Sequence, residues 1–156
     1  MPFTVRRYRP SDDDARLRDL HERALREVDA YVEAPEWDAD LDAIEETYLD
    51  AGGTFLVGEL DDEIVAMGAL KPREEPGTTE LTRMRVAPEH QQQGYGTRLL
   101  EELERRARKL GYGRLVLDTT ERQVGAQRLY ERFGYERVNE TEWRGYTVLF
   151  YEKRLD

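Results

Sequence analysis

The sequence predicts an α+β domain whose sheet is mostly antiparallel but contains one parallel pair. Three observations lead there. Residues 54–86 carry three alternating, β-rich runs separated by turn residues, the pattern of an antiparallel meander. Next comes a helix-period segment and then the strand-like "RLVLDTT" (114–120); a strand, helix, strand crossover makes the two strands parallel. The chain closes on two further alternating runs that read as a hairpin. At 156 residues it suits one domain, residues 1–156, with a core large enough to need no disulfide or metal.

Each element has its own local reason. "TVRRYR" alternates as a short first strand; Pro10 and Ser11 then set up a helix, with Ser11 as its predicted cap. Asp12, Asp13 and Asp14 suit the positive end of the helix dipole, and Leu17, Leu20, Ala24, Leu25 and Val28 recur at helical spacing. Pro35 breaks that pattern. A second helix is predicted from Asp38, carrying Leu41, Ile44 and Tyr48 and ended by Gly52 and Gly53. "TFLVGEL", the turn Asp61–Asp62 and "EIVAMGAL" form a hairpin, and "ELTRMRV" adds a third strand. Leu99, Leu100, Leu103, Ala107 and Leu110 mark one face of a helix stopped by Gly111. "QVGAQRLYERFGY" is a shorter helix striped by Ala126, Leu129, Tyr130 and Phe133. "YERVNE" and "GYTVLFYEKRL" complete the count at six to seven strands and about four helices.

Composition narrows the function classes. Apolar and charged residues contribute 38% and 37% of the chain, a soluble globular balance. No run approaches a membrane span, and "MPFTVRRYRPS" lacks the apolar middle of a signal peptide, so a cytoplasmic location and no membrane partner are expected. Without cysteine there is no thiol nucleophile or thiolate metal site, and His21 and His90 lie far apart, so no metal is expected. A net charge of −10 argues against nucleic acid as a partner.

The segment "HQQQGYGTRLL" (90–100) places glycines between a strand and a helix. Unpaired N–H groups at a helix start form an anion pocket. Gly94 and Gly96 lack the Cβ atoms that would block a phosphate, and Thr97 adds a hydroxyl. A Walker loop needs Gly-Lys-Ser/Thr, but Gly96 is followed by Thr97 and Arg98; a Rossmann fingerprint needs a third glycine where Leu99 stands. The spacing of Gln91, Gly94 and Gly96 instead suits an acyl-coenzyme A loop.

The ordered series "LTRMRVAPEHQQQGYGTRLL", helix, "RLVLDT" and "AQRLYERFGY" resembles the GNAT superfamily of N-acetyltransferases, well over residues 54–150 and in general layout before that. The resemblance implies an α/β/α layered fold in which the strand Leu81–Val86 splays from Leu115–Asp118 and acetyl-CoA enters the gap as co-substrate. It implies pantetheine contacts from the backbone of Met84, Arg85 and Val86 and pyrophosphate contacts from the loop residues Gln91, Gln92, Gln93, Gly94, Tyr95, Gly96 and Thr97. An oxyanion donor near Val86 is implied likewise. Tyr130 occupies the family's tyrosine that faces the coenzyme A sulfur; periodicity alone makes it a half-buried core aromatic. Glu80, fourteen residues before Gly94, matches by spacing a general-base glutamate of some members. Its bland alternative is an exposed cross-strand residue on an edge of the meander. Gln123 stands where the family often has a cofactor-contacting asparagine, one methylene shorter.

The function that follows is transfer of acetyl directly to a primary amine of a small metabolite, protein or peptide, with no acyl-enzyme. The acidic stretch Glu33, Glu36, Asp38, Asp40 and Asp42, with Tyr31 and Trp37, either attracts a cationic amine or is a solvated face, and the second reading is favoured. Trp143 suits a substrate wall or a homodimer contact. His90 reads as a solvated loop residue, and His21 as a helix residue outside the chemistry. A non-catalytic acyl-CoA-binding module is the alternative function; a phosphate-loop nucleotide enzyme is remote without the lysine.

Overall fold

In the computed structural model, which describes residues 2–32 and 37–156, β1 (Thr4–Arg7) leads into α1 (Asp14–Glu27). Asp13 caps this helix, its carboxylate accepting from the Ala15 N–H at 2.9 Å, so the cap lies two residues beyond the predicted Ser11. Asp12 is drawn instead to Arg6 and the Arg9 N–H. Where a second helix was predicted, Ala39–Asp42 form a 3-10 turn and Glu45–Leu49 a single π turn. Leu41, Ile44 and Tyr48 are nevertheless buried as predicted. Asp38 does not cap this segment because its carboxylate pairs with Arg83 at 3.1 Å.

Asp61 and Asp62 take φ of 53° and 67°, the mirror-image turn that matches strand twist, and join β2 (Thr54–Leu60) to β3 (Glu63–Pro72). β4 (Thr78–Val86) pairs antiparallel with β3. The crossover then runs through α2 (Tyr95–Lys109) to β5 (Arg114–Thr120). α3 (Val124–Arg132) leads to the closing hairpin, β6 (Glu136–Trp143) and β7 (Tyr146–Arg154). The sheet order is β1-β2-β3-β4-β5-β7-β6, and its one parallel pair is β4–β5. Edge strand β6 is charged and almost wholly exposed, which discourages edge-to-edge pairing.

Helices cover opposite faces. A Cβ on Gly68 would meet Met84, Leu103 and Leu99, so that face packs on α2, whereas the Arg85 side chain on the other face reaches His21 of α1. Both faces carry core: Leu99, Leu100, Leu103 and Ala107 of α2 are fully buried on one, and Leu17 and Leu20 of α1 on the other. Tyr130 of α3 packs on the α2 side against Tyr151 and Tyr135, at ring separations of 6.3 and 5.6 Å. Among the described residues no helix is long and apolar enough to cross a membrane.

Candidate active site

The two parallel strands share a ladder only from Thr78↔Arg114 to Glu80↔Val116; beyond that level β4 and β5 separate. Strands that twist without a shared ladder leave a wedge. It opens into a cleft of about 750 Å³, walled by Met84, Arg85 and Val86 of β4, by residues 90–92 and 94–97, and by Ala126, Leu129 and Tyr130 of α3. A cavity of this size fits an extended ligand.

At the outer end, Gly94 takes a left-handed φ of 84°, turning the chain into α2. The first intrahelical bond is Arg98 N–H to Gly94 C=O at 3.1 Å. The N–H groups of residues 92–97 find no acceptor among the described residues, and α2 has neither a side-chain cap nor an acidic first turn. That end of the helix is therefore a free anion cradle. A Cβ on Gly96 would lie 3.5 Å from Leu129 and 3.8 Å from Val86, ordinary contacts, so protein packing alone does not demand glycine there. Gly96 also lines the cleft, where the missing Cβ leaves room.

The other loop residues divide into wall and scaffold. Gln91 donates its side-chain N–H to the Val86 carbonyl at 3.0 Å, tying the loop to the end of β4. Gln92 takes φ of 61° and lines the cleft, whereas Gln93 is exposed and does not. Tyr95 lines the cleft and stacks on Phe3, ring centroids 4.1 Å apart, so its ring anchors the loop. The Gln123 carbonyl oxygen accepts from the Thr120 N–H and hydroxyl, each at 3.1 Å, and this leaves only its amide N–H groups for a ligand. His90 also lines the cleft, half-buried 6.5 Å from the Tyr95 ring, rather than standing apart in solvent.

Tyr130 closes the inner end. Its phenol is pushed up to about 12, first by burial, so it is a neutral O–H donor at neutral pH. It makes no hydrogen bond to a described residue, which leaves that donor for whatever fills the cleft.

A bulge shapes the opposite face. Lys71↔Glu80, Ala69↔Thr82 and Met67↔Arg85 are partners, and the register shift lets residues 80, 82 and 85 share one face despite their parity. Arg83, at a left-handed φ of 58°, is the residue that absorbs the shift. Its guanidinium meets Asp38 at 3.1 Å, Asp40 at 2.5 Å and 3.0 Å, the Trp37 carbonyl at 2.8 Å and Nε2 of His21 at 3.2 Å. Asp38 and Asp40 are thus internal counter-ions of a buried guanidinium, and Asp42 pairs with Arg18 at 2.6 Å. This corrects the solvated-face reading for Asp38 and Asp40, whereas Asp42 is exposed as that reading expects; Glu33 and Glu36 lie outside the described residues.

His21 is likewise not a bystander. It is buried beneath β4, where its Nδ1 accepts from Arg85 Nε at 3.1 Å while Nε2 lies 3.3 Å from Asp38. Burial and then the neighbouring arginines push it down to about 2, so it is neutral; its Nε2 also lies 3.2 Å from Nη1 of Arg83.

Glu80 sits on the central strand β4, not on a meander edge. Its side chain is 24% exposed, 3.4 Å from Arg73, and it lines a separate recess of about 290 Å³ with Lys71, Thr82, Arg83, Asp40, Tyr48 and Trp37. Asp118, which sequence reasoning passed over, lies two residues beyond Val116 and therefore on the Glu80 face of the sheet. Water reaches it, yet the strands enclose it enough that burial raises its carboxyl, as burial raises that of Glu80. Asp118 has no ion pair among the described residues. Its signal was an acid directly after the apolar "LVL" of a strand. Trp143 packs on Trp37 at 5.0 Å, with Arg144 over both rings.

Among the described residues, the one parallel pair of a mixed sheet splays beside a glycine-led helix N-terminus, a geometry with room and N–H donors for an extended anionic ligand. Residues 15–135 match the model of the acetyltransferase (GNAT) family, and the chain belongs to that family. It is 31% identical over 105 residues to N-acetyltransferase 8F1 of Rattus norvegicus, covering 65% of this chain and 48% of that protein. To probable N-acetyltransferase 14 of Xenopus tropicalis it is 35% identical over 88 residues, covering 56% and 43%. The chain thus spans less than half the length of these curated relatives. Its fold is that of a GNAT-family acetyltransferase from Staphylococcus aureus Mu50 (TM-score 0.88, 20% identity, 99% of this chain and 100% of that one). It also matches a GNAT-family acetyltransferase from Elizabethkingia anophelis solved with acetyl-CoA bound (TM-score 0.71, 21% identity, 98% of each chain).

Proposed function

We propose that this protein is an N-acetyltransferase that passes an acetyl group from acetyl-CoA directly to a primary amine of a small metabolite, protein or peptide. The observation that carries the reading is the run of N–H groups at residues 92–97, without an acceptor among the described residues, opening into a cleft that ends at the Tyr130 phenol, which likewise has no hydrogen bond among them. Family membership supports it, as does the acetyl-CoA held by the Elizabethkingia anophelis neighbour.

Acetyl-CoA, when bound, supplies a thioester carbonyl to attack and a thiolate to expel. The chain supplies position and proton control. Residues 92–97 fit a pyrophosphate, and the backbone of Met84, Arg85 and Val86 flanks the pantetheine path. An alkyl ammonium near pKa 10.4 is almost wholly protonated at neutral pH, so a proton acceptor is needed. We assign that role to the carboxylates on the α1 face, Glu80 and Asp118, of which Asp118 is free of an ion pair. The amine gives one proton to the carboxylate, its lone pair forms the C–N bond, and the C–S bonding pair leaves on sulfur. Nitrogen then releases its second proton, and one of the two ends on sulfur. A phenol at about 12 does not hand its proton over to a thiol of about 8.5, so Tyr130 stabilises the departing sulfur as a hydrogen-bond donor.

The test is release of free coenzyme A thiol from acetyl-CoA with a panel of polyamines, aminoglycosides, amino acids and lysine peptides, which a cysteine-free protein permits without background. Turnover with an acceptor supports the proposal. Tyr130→Phe is expected to lower kcat by about 100-fold while leaving coenzyme A affinity nearly intact. Coenzyme A binding without turnover of any acceptor would favour the non-catalytic module.

A further inference from the structure

The strands that separate also hold two opposite charges apart. Arg85 stands on β4 and Asp118 on β5, on the face covered by α1, past the level where the β4–β5 ladder ends. They form no ion pair with one another, and neither has one elsewhere among the described residues. Yet each is close enough to alter the other's ionisation: Arg85 favours the charged form of Asp118, and Asp118 that of Arg85.

Arg85 is also held in a fixed pose. A guanidinium has five N–H donors. One goes to Nδ1 of the neutral His21 at 3.1 Å and one to the Met84 carbonyl at 2.7 Å; the others face no acceptor among the described residues. His21 is itself immobilised by burial and by Asp38. Its neighbour Arg83, by contrast, is neutralised by two aspartates. A half-buried cation that lines the cleft, carries rigid planar donors and lacks a counter-ion is a carboxylate receptor.

We infer that the acceptor is an amine bearing a carboxylate a few bonds away, an amino acid in its free form, with its carboxylate on the Arg85 fork and its amine toward Asp118. A zwitterion bridges the two charges that the splay keeps apart, and its amine then lies where the proposed base and the inner end of the cleft meet. The inference rests on the acetyl-transfer reading and names its substrate class. Simple polyamines present a second cation to Arg85 and are disfavoured.

The test compares kcat/KM for amino acids with apolar, polar and acidic side chains against their own carboxamides, in the wild-type chain, Arg85→Gln and Arg85→Lys. The wild type is expected to favour the acids by at least about 30-fold, the scale on which losing one member of a buried charge pair is felt. Arg85→Gln should collapse that ratio to near one, and Arg85→Lys should restore part of it. Amides turned over as well as acids by the wild type would overturn the inference and leave acetyl transfer standing. So would an Arg85→Gln loss that is equal for both classes, since the guanidinium would then serve the reacting atoms. Failure of the transfer reading would appear instead as no thiol release with any acceptor. Calorimetric titration of N-acetyl amino acids and their amides into the coenzyme A complex then decides: acid-selective binding lost in Arg85→Gln supports the carboxylate site, and unselective or absent binding overturns it.

Discussion

Asp118 and Glu80 both hold their protons to higher pH than an ordinary carboxyl, because partial burial disfavours the ionised form. A folded-state value above the unfolded one contributes stability that is full below the unfolded value and lost as pH rises through the folded one. Asp118→Asn should therefore raise Tm at pH 7 and bring no gain near pH 3, as thermal melts at the two pH values will show. The same variant should cut kcat/KM by about 100-fold and flatten its acid limb, if Asp118 is the proton acceptor. His21 has the opposite sign. Pushed down to about 2, it adds stability that is full above its unfolded value near 6.5 and is lost as pH falls below it. A denaturation series from pH 7 to 4 should show that slope in the wild type and a shallower one in His21→Gln.

Among the elements, the glycines separate packing demands from ligand demands. A Cβ on Gly53 would lie 1.9 Å from the Leu70 carbonyl oxygen, a backbone atom that cannot swing aside, so Gly53→Ala is expected to cost about 3 kcal/mol in denaturant melts. Gly96→Ala meets only ordinary contacts and should melt like the wild type, yet it should weaken coenzyme A binding roughly tenfold, about 1.4 kcal/mol by calorimetry. Strands, hairpin turns and the two later helices were legible because apolar period and turn chemistry are local properties. The segment from Asp38 was not. Its apolar spacing is helical, but Asp38 and Asp40 are drawn to Arg83 on a strand more than forty residues away, and the chain forms two separate turns instead. The Ser11 cap was displaced in the same way, one turn's worth of aspartates offering several alternatives from which tertiary partners choose.

For the whole molecule, the cleft divides the sheet between β4 and β5, so a ligand seated there joins two halves that share a short parallel ladder. Linkage gives about 2.7 kcal/mol of added stability at a ligand concentration one hundred times Kd. For a chain of this size that corresponds to a Tm increase of about 5 to 10 °C with coenzyme A, read by scanning calorimetry. Added salt should shrink the increase, because the loop meets the pyrophosphate largely through charge and dipoles.

The sequence by itself determined the fold class, the order of elements, the glycine-led anion loop and Tyr130 as an inward-facing aromatic. These depend on spacing within a dozen or so residues, where backbone geometry translates pattern directly into position. Only the tertiary structure decided which face Arg85 occupies, that Asp118 shares it on the neighbouring strand, and that Asp38 and Asp40 pair with Arg83. The reason is register: one extra residue at the β4 bulge reverses the face of every side chain after it, and the point where two parallel strands part depends on contacts made across the sheet.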